Sequence, residues 1–333
     1  MPLKSVGIIG TGKALPDKIV RNDDFVKMGL DTSDEWITER TGIKERRIAD
    51  ASTSTSDLAC AAGLDAIKDS GLLPSDIDLL IVATTTPDFP VFPSTAAILQ
   101  DKLGLKPVGA FDISAACTGF SYALTTATQF IQTGFAKNVL VIGADCLSKM
   151  LDWTDRSICI LFGDGAGAVV LSEVKPGFGV LSSCLHSSGK DADALKVPVG
   201  GSRSPITHEA IDQHLNFIKM NGKAVYKLAV NYIIPTIELS LSKAGLEIGD
   251  IDFFIPHQAN LRIIQYAVEK LGLSQDQVYI NLQKYGNTSA ASIPIAIAEA
   301  KSLDALQEGD ILVLTGFGAG FTWGSNILKW GGR

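Results

Sequence analysis

The sequence predicts an α/β protein built as two similar halves, and three observations carry that reading. Short β-branched runs alternate with helical stretches rich in small residues along the chain, the pattern of buried strands covered by helices. "SGLLPSDIDLLIVATTT" (70–86) aligns without gaps on "AGLEIGDIDFFIPHQAN" (244–260), each a helix end, an acidic turn and a buried strand. At nearly the same spacing "AFDI" (110–113) answers to "YINL" (279–282), and "VLVIGAD" (139–145) to "ILVLTGF" (311–317). An internal repeat of this length marks a duplicated architecture.

Taken in order, "SVGIIG" (5–10) opens the first strand. "DTSDEWITERTGIKERR" (31–47) reads as a short helix, with Thr32 and Glu35 in a capping-box pattern and Gly42 at its end. After the strand "AFDI", "CTGFSYALTTATQFIQTG" (117–134) sets Phe120, Leu124, Ala127 and Ile131 on one apolar stripe, so a helix starts at Cys117. "FGDGAGAVVL" (162–171) is a strand whose glycines signal close backbone packing. Pro and Gly in "VKPGFG" place the seam between halves 1–175 and 176–333. Segment 190–219 has weak periodicity and reads as an insertion over a surface, and "NLRIIQYAVEKLG" (260–272) as the helix after strand "DFFIP".

A chain of 333 residues, 46% hydrophobic and 20% charged, buries a large core and folds. Its net charge of −7 argues against tracking a nucleic-acid backbone. No apolar run approaches the roughly 20 residues of a membrane span, and the N-terminus lacks a signal-peptide pattern, so a cytoplasmic protein is expected. Five scattered cysteines without a CxxC pair suit a reducing compartment and offer neither a disulfide framework nor a thiolate metal site. HExxH is absent, so no metal is expected. "GIIGTGKALP" lacks the third glycine of a dinucleotide loop and meets Pro16 where a helix should begin.

The repeat places three chemically able residues at strand carboxyl ends, where ligands of α/β proteins bind. Cys117 follows "AFDI", Asn287 follows the matching "YINL", and His257 ends "DFFIP". A buried cysteine is ordinarily a small hydrophobe. At a helix start, unpaired N–H groups and the dipole push a thiol towards thiolate. Cys60, Cys146, Cys159 and Cys184 lie within apolar runs and keep the ordinary reading. Trp36 and Arg40, at i and i+4, share a helix face, either as a surface cation–π pair or as a platform for an adenine ring and a phosphate.

These residues meet a known pattern. Cys117 at its strand-to-helix junction, "PHQAN" (256–260), "GNTSAAS" (286–292) and "GFGAGFTWGS" (316–325), with "TSDEWI", "RTGIKERRI" and "TDRSICILFGDGAGA", closely resemble β-ketoacyl-acyl-carrier-protein synthase III of the thiolase superfamily over essentially the whole chain. Elongating synthases carry a second histidine where this chain has Asn287, and thiolases a second catalytic cysteine that it lacks.

The resemblance implies a five-layered αβαβα thiolase fold and a homodimer. It also implies condensation of acetyl-CoA, or another short acyl-CoA, with malonyl-acyl carrier protein, without a further cofactor. It makes Cys117 the nucleophile and His257 and Asn287 its partners, with backbone N–H groups of Cys117 and Ala319 as the oxyanion hole. Ala319 departs from the three glycines common in that loop, and an alanine serves there only if its φ suits a Cβ. Thr32, Trp36, Arg40, Arg156 and Asn260 correspond to the CoA site, Phe92 to a residue closing an acetyl-sized primer pocket, and Arg262 to a carrier-protein docking position. Two alternatives stand beside this: a related synthase joining other acyl-CoA units, and a non-catalytic relative that binds acyl-CoA or carrier protein. The intact Cys117, His257 and Asn287 set argues against the second.

Overall fold

The computed structural model describes residues 3–333. Its first sheet holds β1 (Val6–Ala14), β2 (Leu79–Ala83), β3 (Gly109–Ile113), β4 (Val139–Cys146) and β5 (Asp164–Glu173), in the order β1-β5-β4-β2-β3. β2 runs parallel to β3 and β4, and β5 antiparallel to β1 and β4. The second sheet holds β6 (Gly179–Ser187), β7 (Phe253–Pro256), β8 (Ile311–Gly318) and β9 (Thr322–Lys329), in the order β7-β8-β9-β6. β7 runs parallel to β8, and the remaining pairs are antiparallel. By position β6 answers to β1, β9 to β5, β8 to β4 and β7 to β2.

One expected strand does not form. In place of the counterpart of β3 expected at "YINL", the chain makes a single parallel bridge, Phe254 with Val278, and Tyr279 N–H donates to the Phe254 carbonyl at 3.0 Å. Two residues on, Asn281 is captured by side chains instead of a strand: its N–H donates to Gln258 Oε1 at 3.1 Å and its amide to Glu299 Oε2 at 2.8 Å.

Helices α2 (Thr55–Ser70) and α3 (Thr95–Lys102) cover the outer face of the first sheet, and α5 (Gly222–Ala244) and α6 (Leu261–Leu271) that of the second. Between the sheets lie α4 (Gly119–Gln132) and α7 (Ser292–Ser302), completing five layers. On α4 the stripe Phe120, Leu124, Ala127 and Ile131 is wholly buried, packed with Ile81, Val141, Leu312 and Leu314 from both sheets. Helix α7 is buried all round from Ser292 to Ala300, as a helix without a solvent face must be. It can lie so close because β5 carries Gly167, where a Cβ would stand 2.4 Å from Ile295 N.

Two further features frame the site. Segment 190–219 forms a 3₁₀ turn, a two-residue ribbon pairing 195–196 with 219–220, and a short helix, His208–Asp212. Leu195 and Ile218 pack it onto Leu147 and Ile160, so it roofs a cavity as well as a surface. Arg46 is fully buried, with its guanidinium 4.7 Å from the Phe25 ring. It donates to the carbonyls of Val20 at 3.2 Å and Ile160 at 2.6 Å and to Asn22 Oδ1 at 2.9 Å, fixing the loop that carries Leu161 and Phe162.

Candidate active site

The nucleophile's turn is tight. After β3 the chain enters a 3₁₀ turn, Ala116–Thr118, and α4 begins only at Gly119, two residues later than expected. Ala116 adopts φ 47°, a left-handed conformation uncommon for a residue with a Cβ. The other half repeats the device: Ser289 has φ 51°, a 3₁₀ turn covers Ser289–Ala291, and α7 follows at Ser292. The two turns pack together at the centre of the molecule, and Ser289 and Cys117 line one small cavity.

Cys117 is 6% exposed. Burial pushes its thiol up to about 12, against the pull of the Ser289 hydrogen bond. Burial thus works against the thiolate that a helix start favours.

His257 sits at the end of β7, its N–H donating to the Thr315 carbonyl at 2.7 Å. Its Nδ1 lies 2.7 Å from Ser292 Oγ, which accepts from Gln258 N–H at 3.4 Å. In the tautomer with its proton on Nε2, Ser292 donates to Nδ1 and Nε2 is a donor towards the cavity. Burial pulls the imidazole down to about 3, so it is neutral. Phe317 packs edge-on at 5.4 Å.

Asn287 is stitched to the first half by two backbone bonds, its N–H to Leu161 at 2.9 Å and its carbonyl from Gly163 at 3.0 Å. Its Oδ1 accepts Ser289 N–H at 2.8 Å, which leaves Nδ2 as a donor.

Cys117, His257 and Asn287 line one cavity of about 620 Å³, which also reaches Trp36, Arg40, Asn260 and Arg262. A second cavity, about 170 Å³, is walled mainly by Leu147, Met150, Phe162, Leu195, Val197 and Ile218 and also touches Cys117. The sulfur thus stands between a long, mixed cavity and a small apolar one.

The loop after β8 closes over the nucleophile. A Cβ on Gly318 would lie 2.7 Å from Cys117 N, so the approach requires glycine. Ala319 lines the small cavity with Cys117, and its φ is outside the left-handed region that Gly320 adopts at 134°. The methyl group is therefore accommodated. Thr322 Oγ1 lies 3.0 Å from both the Ala115 and Ala319 carbonyls and ties the two loops.

At the far end of the long cavity α1 (Asp34–Thr41) presents Trp36, with the Arg40 guanidinium 4.4 Å and that of Arg156 5.1 Å from its ring. Arg156 also donates to the Asp31 backbone carbonyl and to its carboxylate at 3.0 Å. The cap differs from expectation: Ser33, not Thr32, accepts from Trp36 N–H, because Ser33 holds the extended N-cap conformation. Thr32 Oγ1 is buried without a partner. Gly42 ends the helix at φ 81°, as expected. Asn260 caps α6, accepting from Arg262 N–H at 2.9 Å, and donates to the Arg40 carbonyl at 3.1 Å. The Arg262 guanidinium lies 4.0 Å from Glu39 at the surface.

Phe92 is placed elsewhere. It is 79% exposed, in a loop with Val91 at 77% and Phe89 at 50%, and lines neither cavity. In the single chain its ring faces solvent, apart from the cavities that Cys117 lines. Sequence reasoning also missed Ser289, Ser292 and Phe317. The two serines lie inside "GNTSAAS", but only the folded turn shows which groups their hydroxyls reach. Among the described residues, no group of three or more His, Cys, Asp or Glu side chains could hold a metal, and no helix is long and apolar enough to cross a membrane.

Comparison with known proteins agrees with this geometry. Family models described as 3-oxoacyl-[acyl-carrier-protein] synthase III and as its C-terminal part match residues 111–189 and 241–330. The β-ketoacyl-[acyl-carrier-protein] synthase III of Caldanaerobacter subterraneus subsp. tengcongensis is 54% identical over 98% of both chains. That of Clostridium acetobutylicum is 51% identical over 98% of this chain and 99% of the relative. The crystal structure of the Aquifex aeolicus VF5 synthase III superimposes with TM-score 0.90 at 45% identity, covering 98% of this chain and 100% of that one. With the fold, the site and near full-length identity in agreement, the chain belongs to the 3-oxoacyl-[acyl-carrier-protein] synthase III family of condensing acyltransferases.

Proposed function

We propose that the enzyme starts fatty-acid chains by joining acetyl-CoA, or another short acyl-CoA, to malonyl-acyl carrier protein with loss of carbon dioxide. The observation that carries this reading is the convergence of a thiol and two oriented hydrogen-bond donors, His257 Nε2 and Asn287 Nδ2, on one cavity. The half 1–175 brings the thiol and the coenzyme platform, and the half 176–333 brings the two donors.

Cys117 sulfur attacks the thioester carbonyl, and the coenzyme thiol leaves. The N–H groups of Cys117 and Ala319 stabilise the tetrahedral oxyanion in each half-reaction. Malonyl carrier protein then occupies the same cavity. As carbon dioxide departs, the thioester enolate oxygen is held by His257 Nε2–H and Asn287 Nδ2–H. A neutral imidazole suits this task, because it donates without needing a proton from solution. The enolate carbon attacks acyl-Cys117 and frees the sulfur. The residues supply nucleophile and donors themselves, so the reaction needs no further cofactor.

Trp36, with Arg40 and Arg156 against its ring, suits an adenine ring with phosphates nearby, and Asn260 borders the same route. Thr32 belongs to this site by its place before the helix that carries Trp36. Arg262 at the mouth suits an acidic carrier protein. The small apolar cavity suits a short primer. Phe92 can close a primer pocket only by crossing into a second copy, and its exposed apolar loop supports a homodimer. Five unpaired cysteines suit a reducing cytoplasm.

Incubation with acetyl-CoA should add an acetyl group to the Cys117 peptide by mass spectrometry, and malonyl carrier protein should then yield acetoacetyl carrier protein. An unmodified Cys117 alongside turnover would overturn the mechanism. Trp36→Ala should raise KM for acetyl-CoA about tenfold, equivalent to about 1.4 kcal/mol, with kcat nearly unchanged. An unchanged KM would remove Trp36 from the coenzyme site.

A further inference from the structure

Burial keeps the His257 imidazole neutral, so its ring carries a single proton on one of two nitrogens. Which nitrogen holds it decides what an enolate oxygen meets there: a donor at Nε2, or a lone pair that repels it.

The ring lines the long cavity shared with Cys117 and Asn287, and Nδ1 points away into the protein, 2.7 Å from Ser292 Oγ. Ser292 is 2% exposed and opens α7, the helix buried all round. Among the described residues its hydroxyl has two polar neighbours, His257 Nδ1 and the Gln258 N–H, which donates to Oγ at 3.4 Å. With the ring proton on Nδ1, Oγ would face two donors, and the serine's own hydrogen would be buried without an acceptor. With the proton on Nε2, Oγ accepts from Gln258 and donates to Nδ1, and every buried group is paired. A buried donor left without a partner is destabilising, so the serine selects the second arrangement.

We propose that Ser292 is the positioning residue that fixes the tautomer of His257, holding the ring proton on Nε2, where the enolate oxygen forms. Ser292 lines neither cavity and so acts through the imidazole.

Gln258 keeps the serine in that role. Its side chain is anchored on three backbone groups: Nε2 donates to the carbonyls of Pro256 at 2.8 Å and Tyr279 at 3.2 Å, and Oε1 accepts Asn281 N–H at 3.1 Å. This holds the Gln258 main chain beside α7, with its N–H towards Oγ. Phe317, edge-on at 5.4 Å, packs against the imidazole. The segment "GNTSAAS" thereby sets both donors of the site by one device. Ser289 N–H occupies Asn287 Oδ1 and leaves Nδ2 to donate, and Ser292 O–H occupies Nδ1 and leaves Nε2 to donate.

The proposal rests on the condensing-enzyme reading, and separate signals test the two. Full-length enzyme carrying isotopically labelled histidine is read by long-range proton–nitrogen NMR at pH 7. The chain has four histidines, and His257 is assigned by the resonances lost in His257→Ala. Nitrogen shifts distinguish a protonated ring nitrogen from a bare one and report the tautomer without any substrate. The wild-type ring should carry its proton on Nε2, and a proton on Nδ1 would overturn the proposal. Ser292→Ala should populate the Nδ1–H form and lower malonyl decarboxylation at least tenfold, while acetyl-Cys117 forms at close to the native rate. An alanine variant whose ring stays wholly on Nε2 would overturn it, whatever its rate. A merely structural serine would lower acylation and decarboxylation together and leave the tautomer unmoved. Ser292→Thr keeps the hydroxyl and should keep the Nε2–H form, and its loss there would equally overturn the proposal. If the alanine variant does not fold, Ser292→Cys puts a weaker donor at the same place and is read in the same way. Absence of acetyl-Cys117 after incubation with acetyl-CoA would instead overturn the condensing-enzyme reading and leave the tautomer result standing.

Discussion

Cys117→Ala should give an enzyme that folds, binds acetyl-CoA and never acquires an acetyl group. The sulfur is the only thiol lining either of the two cavities at the site, so no neighbour substitutes for it. Loss of condensation should be complete within detection, whereas loss of a hydrogen-bond donor is graded. Decarboxylation of malonyl carrier protein should persist, because the donors proposed to hold the enolate oxygen, His257 Nε2 and Asn287 Nδ2, are in contact with Ser292 and Ser289 and not held by the thiol. Mass spectrometry of the Cys117 peptide, condensation and carbon dioxide release read the three steps separately. Residual condensation by the variant would remove Cys117 as nucleophile. Loss of decarboxylation alongside acylation would show that the sulfur also takes part in holding malonate.

The parts of this site legible in the sequence are those set by strand ends. Strand positions repeat between the halves, so the ends of "AFDI" and "DFFIP" announce themselves before any contact is known. Where a segment's hydrogen bonds are decided by distant side chains, the reading fails. "YINL" has a strand's composition, yet Gln258 and Glu299 capture Asn281, and one bridge remains. The state of Cys117 meets a related limit: a helix start is a local property, whereas desolvation depends on Ser289, Phe162 and the 190–219 segment folding around the sulfur. Phe92 shows the same limit in reverse. Its apolar loop is unmistakable in the chain, but which surface it faces is settled only by the fold.

Asn287→Ala separates the two half-reactions and tests how the halves cooperate. In the proposed mechanism the Asn287 amide acts on the enolate oxygen, which exists only after carbon dioxide leaves. Losing one such donor lowers the rate by about 10²–10³-fold in comparable sites. Malonyl decarboxylation and condensation should therefore fall by about that factor, while acylation of Cys117 falls less than about tenfold. The structure adds a refinement, because alanine also removes Oδ1, the acceptor for Ser289 N–H at 2.8 Å, and slackens the turn beside the thiol. Asn287→Asp keeps an acceptor there and puts a carboxylate oxygen in place of the donor. It should acylate at the native rate while decarboxylating as poorly as the alanine variant. Rapid-quench acylation with acetyl-CoA and carbon dioxide release from malonyl carrier protein measure the two. If the aspartate variant loses acylation and decarboxylation together, the amide acts in both half-reactions. The division of labour between the halves, thiol from the first and enolate donors from the second, would then have to be withdrawn.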